Sequence, residues 1–354
     1  MIGSHTATAE FYLNQFARRQ APDDRKEKLW VYQRGAAPFP ATPHNVGKEN
    51  GYFAITKPDG SLDESMETVL ATLDGNGAEV LRLIGYETFY ASTRDVETLF
   101  RYIALTFART NARRGLSAKI LGHILNAYKE LASDTAWLQE QAHLFEQFSG
   151  ISTSPEEISV ATNRVAERLA KPEHARNGFI QGLLHLAESL FRELQGKPWQ
   201  VWEAPPSAQF ITTDNPVITL RASALAGFTP GWGFRTTGVT TFFAVSPRSC
   251  VVIGNNLRVD RHWRRATASD VSSVNKALVM CMDRWAYSDS RSEDTEWLVS
   301  QIGGSIEYGV NAFVPEWLNK ASEAIKAKVR EATNPNRTRI EPQAFREPKR
   351  YEAV

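Results

Sequence analysis

The sequence contains little cysteine: only Cys250 and Cys281 occur among its 354 residues. Two thiols in a chain of this length make no disulfide scaffold, which excludes the class of small secreted proteins held together by disulfide bonds. Both thiols stand alone, and Cys281 falls in an apolar helical stretch, so we expect buried structural thiols. The 9 tryptophans and 18 phenylalanines are instead sufficient for a substantial hydrophobic core.

The chain also lacks an excess of charge and a long apolar run. It has 41 basic and 40 acidic residues, a formal net charge of +1, which gives no overall argument for nucleic acid or an anionic membrane. No apolar run approaches the roughly 20 residues that a transmembrane helix needs. Residues 1–5 lack a basic segment followed by an apolar core, which argues against a secretory signal. We therefore expect a soluble, cytoplasmic protein without a membrane partner, and the oligomeric state stays open.

A helical pattern of apolar residues extends from about residue 62 to 196. Ser92 and Asp95 are spaced as a capping box, in which each side chain binds a backbone N–H of the other. Residues 154–157 (Ser-Pro-Glu-Glu) give a second start signal, with proline at the first helical position and glutamate at the third. We predict about five or six helices in this stretch.

Short β-type runs lie on both sides of the helical stretch. We predict strands at residues 29–32 and 51–55 in the N-terminal segment. Helices and strands are segregated, which predicts an α+β fold: a central helical array (about 62–196) packed with a mostly antiparallel small sheet built from the N-terminal segment and residues 199–290. Five further strands are predicted, at residues 199–202, 209–213, 217–220, 238–245 and 250–253.

No linker in the sequence forces a domain boundary. We predict a single α+β domain over residues 1–333, with the helical array as an insertion or layer. A last helix is predicted at about residues 318–332 by periodicity. Residues 334–354 are polar and contain prolines, which predicts a loosely docked C-terminal tail.

Residues 210–217 (Phe-Ile-Thr-Thr-Asp-Asn-Pro-Val) are the main candidate for chemistry, because carboxylates that react often lie at a strand end. Asp214 can act as a general base or bind a divalent metal, with Asn215 beside it. Alternatively, Asp214 or Asn215 caps the turn by binding the backbone. No second carboxylate lies at a diagnostic spacing, and the cofactor therefore stays unknown, with a divalent metal as a hypothesis.

Arginines supply the candidate anion-binding groups. Arg109 lies at the end of the helix that Ser92 begins, where its guanidinium suits a phosphate or carboxylate, or alternatively compensates the helix dipole. Residues 258–265 form the densest basic run and contain Trp263. That run indicates either binding of single-stranded nucleic acid through charge and stacking or, the interpretation we favour, a solvated loop.

Several separated stretches resemble one known family. They include Phe11-Tyr12-Leu13, residues 67–83, residues 107–110 (Phe-Ala-Arg-Thr), residues 210–217 and residues 243–248. Together these are similar to the domain of unknown function 4238 family, whose N-terminal hallmark is a His-Tyr-Val-Pro motif. His5 stands in the corresponding segment, but Tyr-Val-Pro is absent. The resemblance implies a role for His5 in proton transfer, although a histidine near a chain terminus is more often exposed or merely hydrogen-bonded. It adds Thr213, Arg248 and Asn275 as substrate-binding candidates.

Two functions follow as hypotheses. The first is a hydrolase or nuclease acting on the phosphate of a small molecule or nucleic acid, with catalytic Asp214, Asn215 and His5. The second is a non-catalytic binding or regulatory module, in phage defence or on a mobile element. An enzyme should gather Asp214, Arg109 and another titratable group around one concave pocket, whereas a binding module should show these residues dispersed.

Overall fold

The structure is a computed structural model. It describes residues 4–6, 8–20, 26–46, 48–84, 91–223, 227–230, 233–255, 257 and 262–302. All of these fall within one compact unit, Met1–Tyr308. The predicted helix at 318–332 and the predicted tail at 334–354 lie outside the described residues, and the single domain over 1–333 stays a prediction.

Nine α-helices occur in the part of the chain that the structure describes. None of them combines the length and the apolar character that a membrane crossing requires. Six form the predicted array between residues 62 and 196, which confirms the helical stretch. The helices are α1 (Glu10–Asn14), α2 (Ser65–Ile84), α3 (Thr93–Ala108), α4 (Asn111–Leu131), α5 (Thr135–Ser149), α6 (Pro155–Leu169), α7 (Pro172–Leu194), α8 (Ala268–Cys281) and α9 (Glu293–Ile302).

The strands lie before and after the array, as the segregated pattern predicts. A 3-10 helix, Pro43–Asn45, lies among the N-terminal strands. The strands are β1 (Ser4–Thr6), β2 (Leu29–Tyr32), β3 (Phe39–Ala41), β4 (Lys48–Asn50), β5 (Ile55–Thr56), β6 (Leu62–Asp63), β7 (Trp199–Glu203), β8 (Thr212–Thr213), β9 (Val217–Ser223), β10 (Gly227–Pro230), β11 (Val239–Ser246), β12 (Ser249–Gly254), β13 (Trp263–Arg265) and β14 (Ala286–Ser288).

Two larger sheets take the place of the one small sheet that the sequence predicted. A six-stranded sheet has the order β10-β9-β11-β12-β7-β13, antiparallel except where β13 runs parallel to β7. A four-stranded antiparallel sheet, β3-β2-β14-β8, joins N-terminal strands to strands that follow the array. The pairs β1–β4 and β5–β6 complete the pattern. The α+β class and the mostly antiparallel pairing are therefore confirmed.

Two predicted strands are wrong over much of their length. Residues 51–53 form a turn, because Gly51 adopts a left-handed φ of 61° and the Ala54 N–H donates to the Gly51 carbonyl (3.1 Å). In the run 209–213 only β8 is a strand. The side chain of Asn275 instead binds the Gln209 carbonyl and the Ile211 N–H, so these backbone groups do not pair with another strand.

The predicted helix starts are confirmed by their hydrogen bonds. At α3 the Asp95 N–H donates to Ser92 Oγ (3.2 Å), and the Ser92 N–H donates to Asp95 Oδ2 (2.9 Å). Ser154 and Glu157 form the same reciprocal pair at α6. Each box satisfies backbone N–H groups that the helix itself leaves without an acceptor, which fixes where the helix begins.

The buried apolar residues of the described ranges form two clusters. The larger one joins α1, α3 and α8 to both larger sheets, with Tyr12 and Leu278 among its members. The smaller one lies among α2, α3 and α7 and includes Leu70 and Leu183. Half-buried Leu190 packs against both clusters. Cys250 and Cys281 are both buried and are not joined by a disulfide bond, which confirms the expectation of buried structural thiols.

Helices α2 and α3 approach closely at Gly77. A Cβ at this position would lie 2.4 Å from Cδ2 of the Tyr102 ring. We expect Gly77→Ala to lower the free energy of unfolding by about 1 kcal/mol net, because overpacking costs about 1–3 kcal/mol and alanine regains about 1 as a helix former. Urea denaturation measures the change.

Gly75, on the same helix, provides the matched control. A Cβ there would have nothing within 4 Å. Gly75→Ala is therefore expected to raise the free energy of unfolding by about 0.5–1 kcal/mol. Equal stabilisation by both substitutions would contradict the close packing of Tyr102 on Gly77.

Candidate functional site

Asp214 is buried at the end of β8, with 5% of its surface exposed. Its Oδ1 accepts a hydrogen bond from the Asp283 N–H (2.9 Å), and Oδ2 accepts from the N–H groups of Arg284 (2.7 Å) and Trp285 (3.0 Å). Its own N–H donates to the Trp285 carbonyl (3.0 Å). The carboxyl group thus fastens the end of β8 to the turn before β14, the arrangement of the capping alternative.

The environment of Asp214 has opposing effects on its pKa. Burial disfavours the charged form and raises the pKa from 3.8 to about 6, while the three backbone N–H donors at residues 283–285 act in the lowering direction. The carboxyl group therefore titrates near neutral pH despite its hydrogen bonds.

The other strand-end candidates also bind backbone groups. Asn215 Nδ2 donates to the Cys281 carbonyl (2.9 Å), and Thr213 Oγ1 donates to the Asn215 carbonyl (2.9 Å). Asn275 Nδ2 donates to the Gln209 carbonyl (2.8 Å). The contacts of Asn215 and Asn275 fasten residues 209–215 to helix α8. Thr213, Asn215 and Asn275 therefore lie close together, and each of their side chains binds a backbone carbonyl group.

Arg248 lies at the surface, with 47% of its side chain exposed. Its Nη1 donates to the Pro205 carbonyl (2.7 Å), and its Nη2 lies 4.0 Å from Glu203 Oε1. The guanidinium therefore holds the loop that follows β7.

Arg109 is buried between α2 and α3, with only 1% exposed. Its Nη1 donates to Asp74 Oδ1 (2.7 Å), and its Nη2 donates to the Tyr102 hydroxyl (3.4 Å). Burial acts to lower the pKa of Arg109, but the charge of Asp74 and the Tyr102 hydroxyl outweigh it and raise the pKa. The guanidinium is therefore a charged group fastening two helices.

His5 lies in β1, where it is paired with Glu49 of β4. Its predicted catalytic role stays a prediction. In the described ranges, no group of three or more His, Cys, Asp or Glu side chains is arranged to hold a metal ion. The metal at Asp214 likewise stays a prediction. The groups that bind this carboxylate are backbone N–H donors, whose partial positive charge does not attract a cation.

Residues from the family-like stretches meet in the core around Tyr12. Its hydroxyl donates to the Ala244 carbonyl (2.5 Å) and lies 2.7 Å from Thr212 Oγ1. Its ring stacks on Phe243 with the centroids 5.1 Å apart. Burial raises the pKa of Tyr12 well above its ordinary value, which keeps the hydroxyl a neutral donor. The three stretches are thus joined by packing and hydrogen bonds.

A cleft of about 250 Å³ opens among α2, α3 and α7, and none of the predicted site residues lines it. It lies where the two core clusters meet, since Tyr102 and Phe191 belong to the larger cluster and Leu105 and Ala187 to the smaller. The remaining lining residues are Leu73, Asn76, Thr98, Arg101, Leu184 and Glu188.

The charged residues of the cleft lie at its rim. Arg101 Nη1 donates to Glu188 Oε2, and the Arg101 guanidinium carbon lies 3.9 Å from the centroid of the Phe191 ring. Arg192 Nε lies 3.5 Å from the other oxygen of Glu188. One carboxylate therefore stands between two guanidiniums, and the aromatic ring orients Arg101 over the apolar wall.

The comparison with protein families identifies the family of this chain. A family model described as "Protein of unknown function (DUF4238)" matches residues 9–292. The chain belongs to this family. The match confirms the resemblance seen in the sequence and includes the whole cleft, whereas His5 lies before its first residue. Neither a curated protein nor a solved structure matches the chain.

The cleft of this family member was not predicted from the sequence, although its lining residues have a regular spacing on two helices. Its residues on α3 are 98, 101, 102 and 105, and those on α7 are 184, 187, 188 and 191. Both sets follow the i, i+3, i+4, i+7 spacing of one helical face. Arg101 and Glu188 place opposite charges at the inner positions of these faces, but the spacing alone does not show that the two residues pair.

Proposed function

We propose that this chain is a binding module that accepts, in the cleft among α2, α3 and α7, a small ligand with an apolar body and an anionic group. The observation that carries the proposal is an apolar cleft with Arg101 held at its rim. Ligand sites are typically concave and mostly apolar, with a few polar groups that fix the orientation of the ligand.

The walls account for the apolar body. Leu73, Leu105, Leu184 and Phe191 line the cleft, and each square ångström of apolar surface removed from water contributes about 25 cal/mol. A volume of about 250 Å³ lies below the roughly 300–1,000 Å³ of sites for drug-sized molecules. The ligand is accordingly small.

The rim accounts for the anionic group. A planar guanidinium suits a carboxylate or phosphate, and stacking on Phe191 already orients Arg101. In the structure the guanidinium of Arg101 binds the carboxylate of Glu188, so the anionic group of the ligand would displace this carboxylate. Arg192, close to Glu188, keeps that carboxylate paired after the exchange.

The hydrolase or nuclease acting on a phosphate-containing substrate is the second candidate. It is favoured by the pKa of about 6 at Asp214, which suits a general base near neutral pH. It ranks second because both oxygens of Asp214 accept backbone hydrogen bonds, while Arg109 binds Asp74 on another helix. A role in phage defence or on a mobile element stays a prediction from the sequence.

A thermal-shift panel on the full chain tests the binding proposal. The probes are short-chain alkyl carboxylates, aryl carboxylates and alkyl phosphates, each compared with the alcohol of the same carbon skeleton. We expect the anionic members to raise Tm and the alcohols to leave it unchanged, because a ligand that binds only the native state stabilises it.

Two pairs of variants then locate the site of the best probe. Arg101→Gln is expected to weaken its Kd by about 10- to 100-fold, since a charged hydrogen bond contributes about 1.5–3 kcal/mol. Arg94→Gln, at an exposed position of α3 outside the cleft, should leave Kd unchanged. Asn76→Trp should block the cleft, while Thr72→Trp, one turn earlier and exposed, should not. Unchanged binding by Arg101→Gln and Asn76→Trp would contradict the proposal.

A further inference from the structure

The end of α5 and the turn that follows it expose three large apolar side chains. Phe145, Phe148 and Ile151 have 45%, 88% and 61% of their surface exposed. Phe145 and Phe148 are three residues apart on α5 and therefore lie on one face, and Ile151 follows the end of that helix. We call these three residues the apolar tip.

The apolar tip is held in place by local hydrogen bonds. Gly150 ends α5 with a left-handed φ of 71°, and the Ile151 N–H donates to Ser149 Oγ (3.1 Å). Thr153 Oγ1 donates to Glu157 Oε2 (2.9 Å), next to the capping box that begins α6. A partner would thus meet a preformed surface and would pay little conformational entropy to order it.

The three side chains of the apolar tip do not contribute to the buried core of α5 and α6. The buried residues of α5 are Leu138 and Ala142, earlier in the helix, and that of α6 is Ala166, near its far end. An aromatic ring left 88% exposed gains nothing for the fold. Exposed apolar groups clustered at one place mark interaction sites.

The segment of the chain that carries the apolar tip has charged residues of one sign. No lysine or arginine occurs between Lys129 and Arg164. An anionic membrane is disfavoured by like charge, whereas a basic partner is attracted. The acidic residues of the same stretch are Glu130, Asp134, Glu140, Glu146, Glu156 and Glu157.

We propose that the apolar tip docks a basic amphipathic helix of a partner protein. Its apolar face would cover Phe145, Phe148 and Ile151, and its lysines or arginines would face Glu140, Glu146 and Glu156. In the recognition of amphipathic helices, apolar anchors supply affinity and surrounding charges supply orientation.

Fluorescence anisotropy with a labelled synthetic helix tests the proposal on the full chain. The probe carries leucine on one face and lysine on the other, and its control replaces every lysine with glutamate. We expect saturable binding of the leucine–lysine helix, weakened as salt rises, and at least tenfold weaker binding of the leucine–glutamate helix.

Matched variants assign that binding to the apolar tip. Phe148→Ser and Glu146→Lys should each weaken the Kd at least tenfold, and neither removes a buried side chain. Trp297→Ser, which removes an aromatic that is 47% exposed on α9, and Glu173→Lys, at an exposed position of α7, should leave Kd unchanged.

Other occupants give different results and would overturn the proposal. A dimer in sedimentation that Phe148→Ser dissociates would assign the tip to a second copy of the chain. Binding to neutral phosphatidylcholine vesicles that depends on Phe148 would assign it to a membrane. Equal binding of both synthetic helices, or no binding of either, would also overturn it.

Discussion

Asp74→Ala is expected to lower the free energy of unfolding by about 3–5 kcal/mol, because it leaves a buried guanidinium without its counter-charge. Arg109 is 1% exposed, and its Nη1 lies 2.7 Å from Asp74 Oδ1. The Tyr102 hydroxyl, at 3.4 Å from Nη2, is a neutral group and cannot replace the carboxylate. Urea denaturation near pH 7 measures the loss.

Two comparisons show whether the destabilisation by Asp74→Ala comes from the unpaired charge of Arg109 or from lost packing. The exposed pair of Arg291 and Glu296, 3.3 Å apart, gives the surface reference, and Glu296→Ala should cost about 0–1 kcal/mol. The double variant Asp74→Ala with Arg109→Met removes both charges and should recover much of the loss. If the double variant is as unstable as Asp74→Ala alone, the cost comes from packing and the stated cause is wrong.

The sequence predicted those elements whose signals are local. The capping residues Ser92 and Ser154 act within four residues of themselves, so the starts of α3 and α6 follow from the chain alone. The run 209–213 was misassigned because its backbone partner is the side chain of Asn275, 64 residues from Ile211. The division into two sheets likewise depends on β14 pairing with both β2 and β8.

The candidate site was harder to predict because the partners of its residues also lie far away in the sequence. Asp214 was correctly recognised as a polar residue at a strand end, but the N–H groups that bind it come 69 to 71 residues later. Arg109 is followed by the polar Thr110 and Asn111, and only the tertiary fold reveals Asp74 beside it. The cleft combines faces of three helices, each of which reads in the sequence as ordinary core-facing periodicity.

Asp214 is expected to make the stability of the protein fall as the pH rises from about 4 to 7. Its pKa is about 6 in the folded chain and 3.8 ordinarily, so between these values the folded state binds more protons than the unfolded state. The contribution of Asp214 is complete below about pH 4 and is lost as the pH rises through 6. A shift of about two units corresponds to about 3 kcal/mol.

Urea denaturation from pH 4 to 7 on the native chain and Asp214→Asn isolates this slope, because the amide has about the size of the neutral acid and does not titrate. The difference in unfolding free energy, native minus variant, should fall by about 2.4 kcal/mol over this range. Asp59→Asn is the control: hydrogen bonds from Ser61 lower the pKa of this exposed carboxyl group, so its difference should stay flat above pH 4. A flat or rising difference for Asp214 would show that the N–H groups of residues 283–285 outweigh burial and keep the carboxylate ionised, which would also remove the argument for a general base.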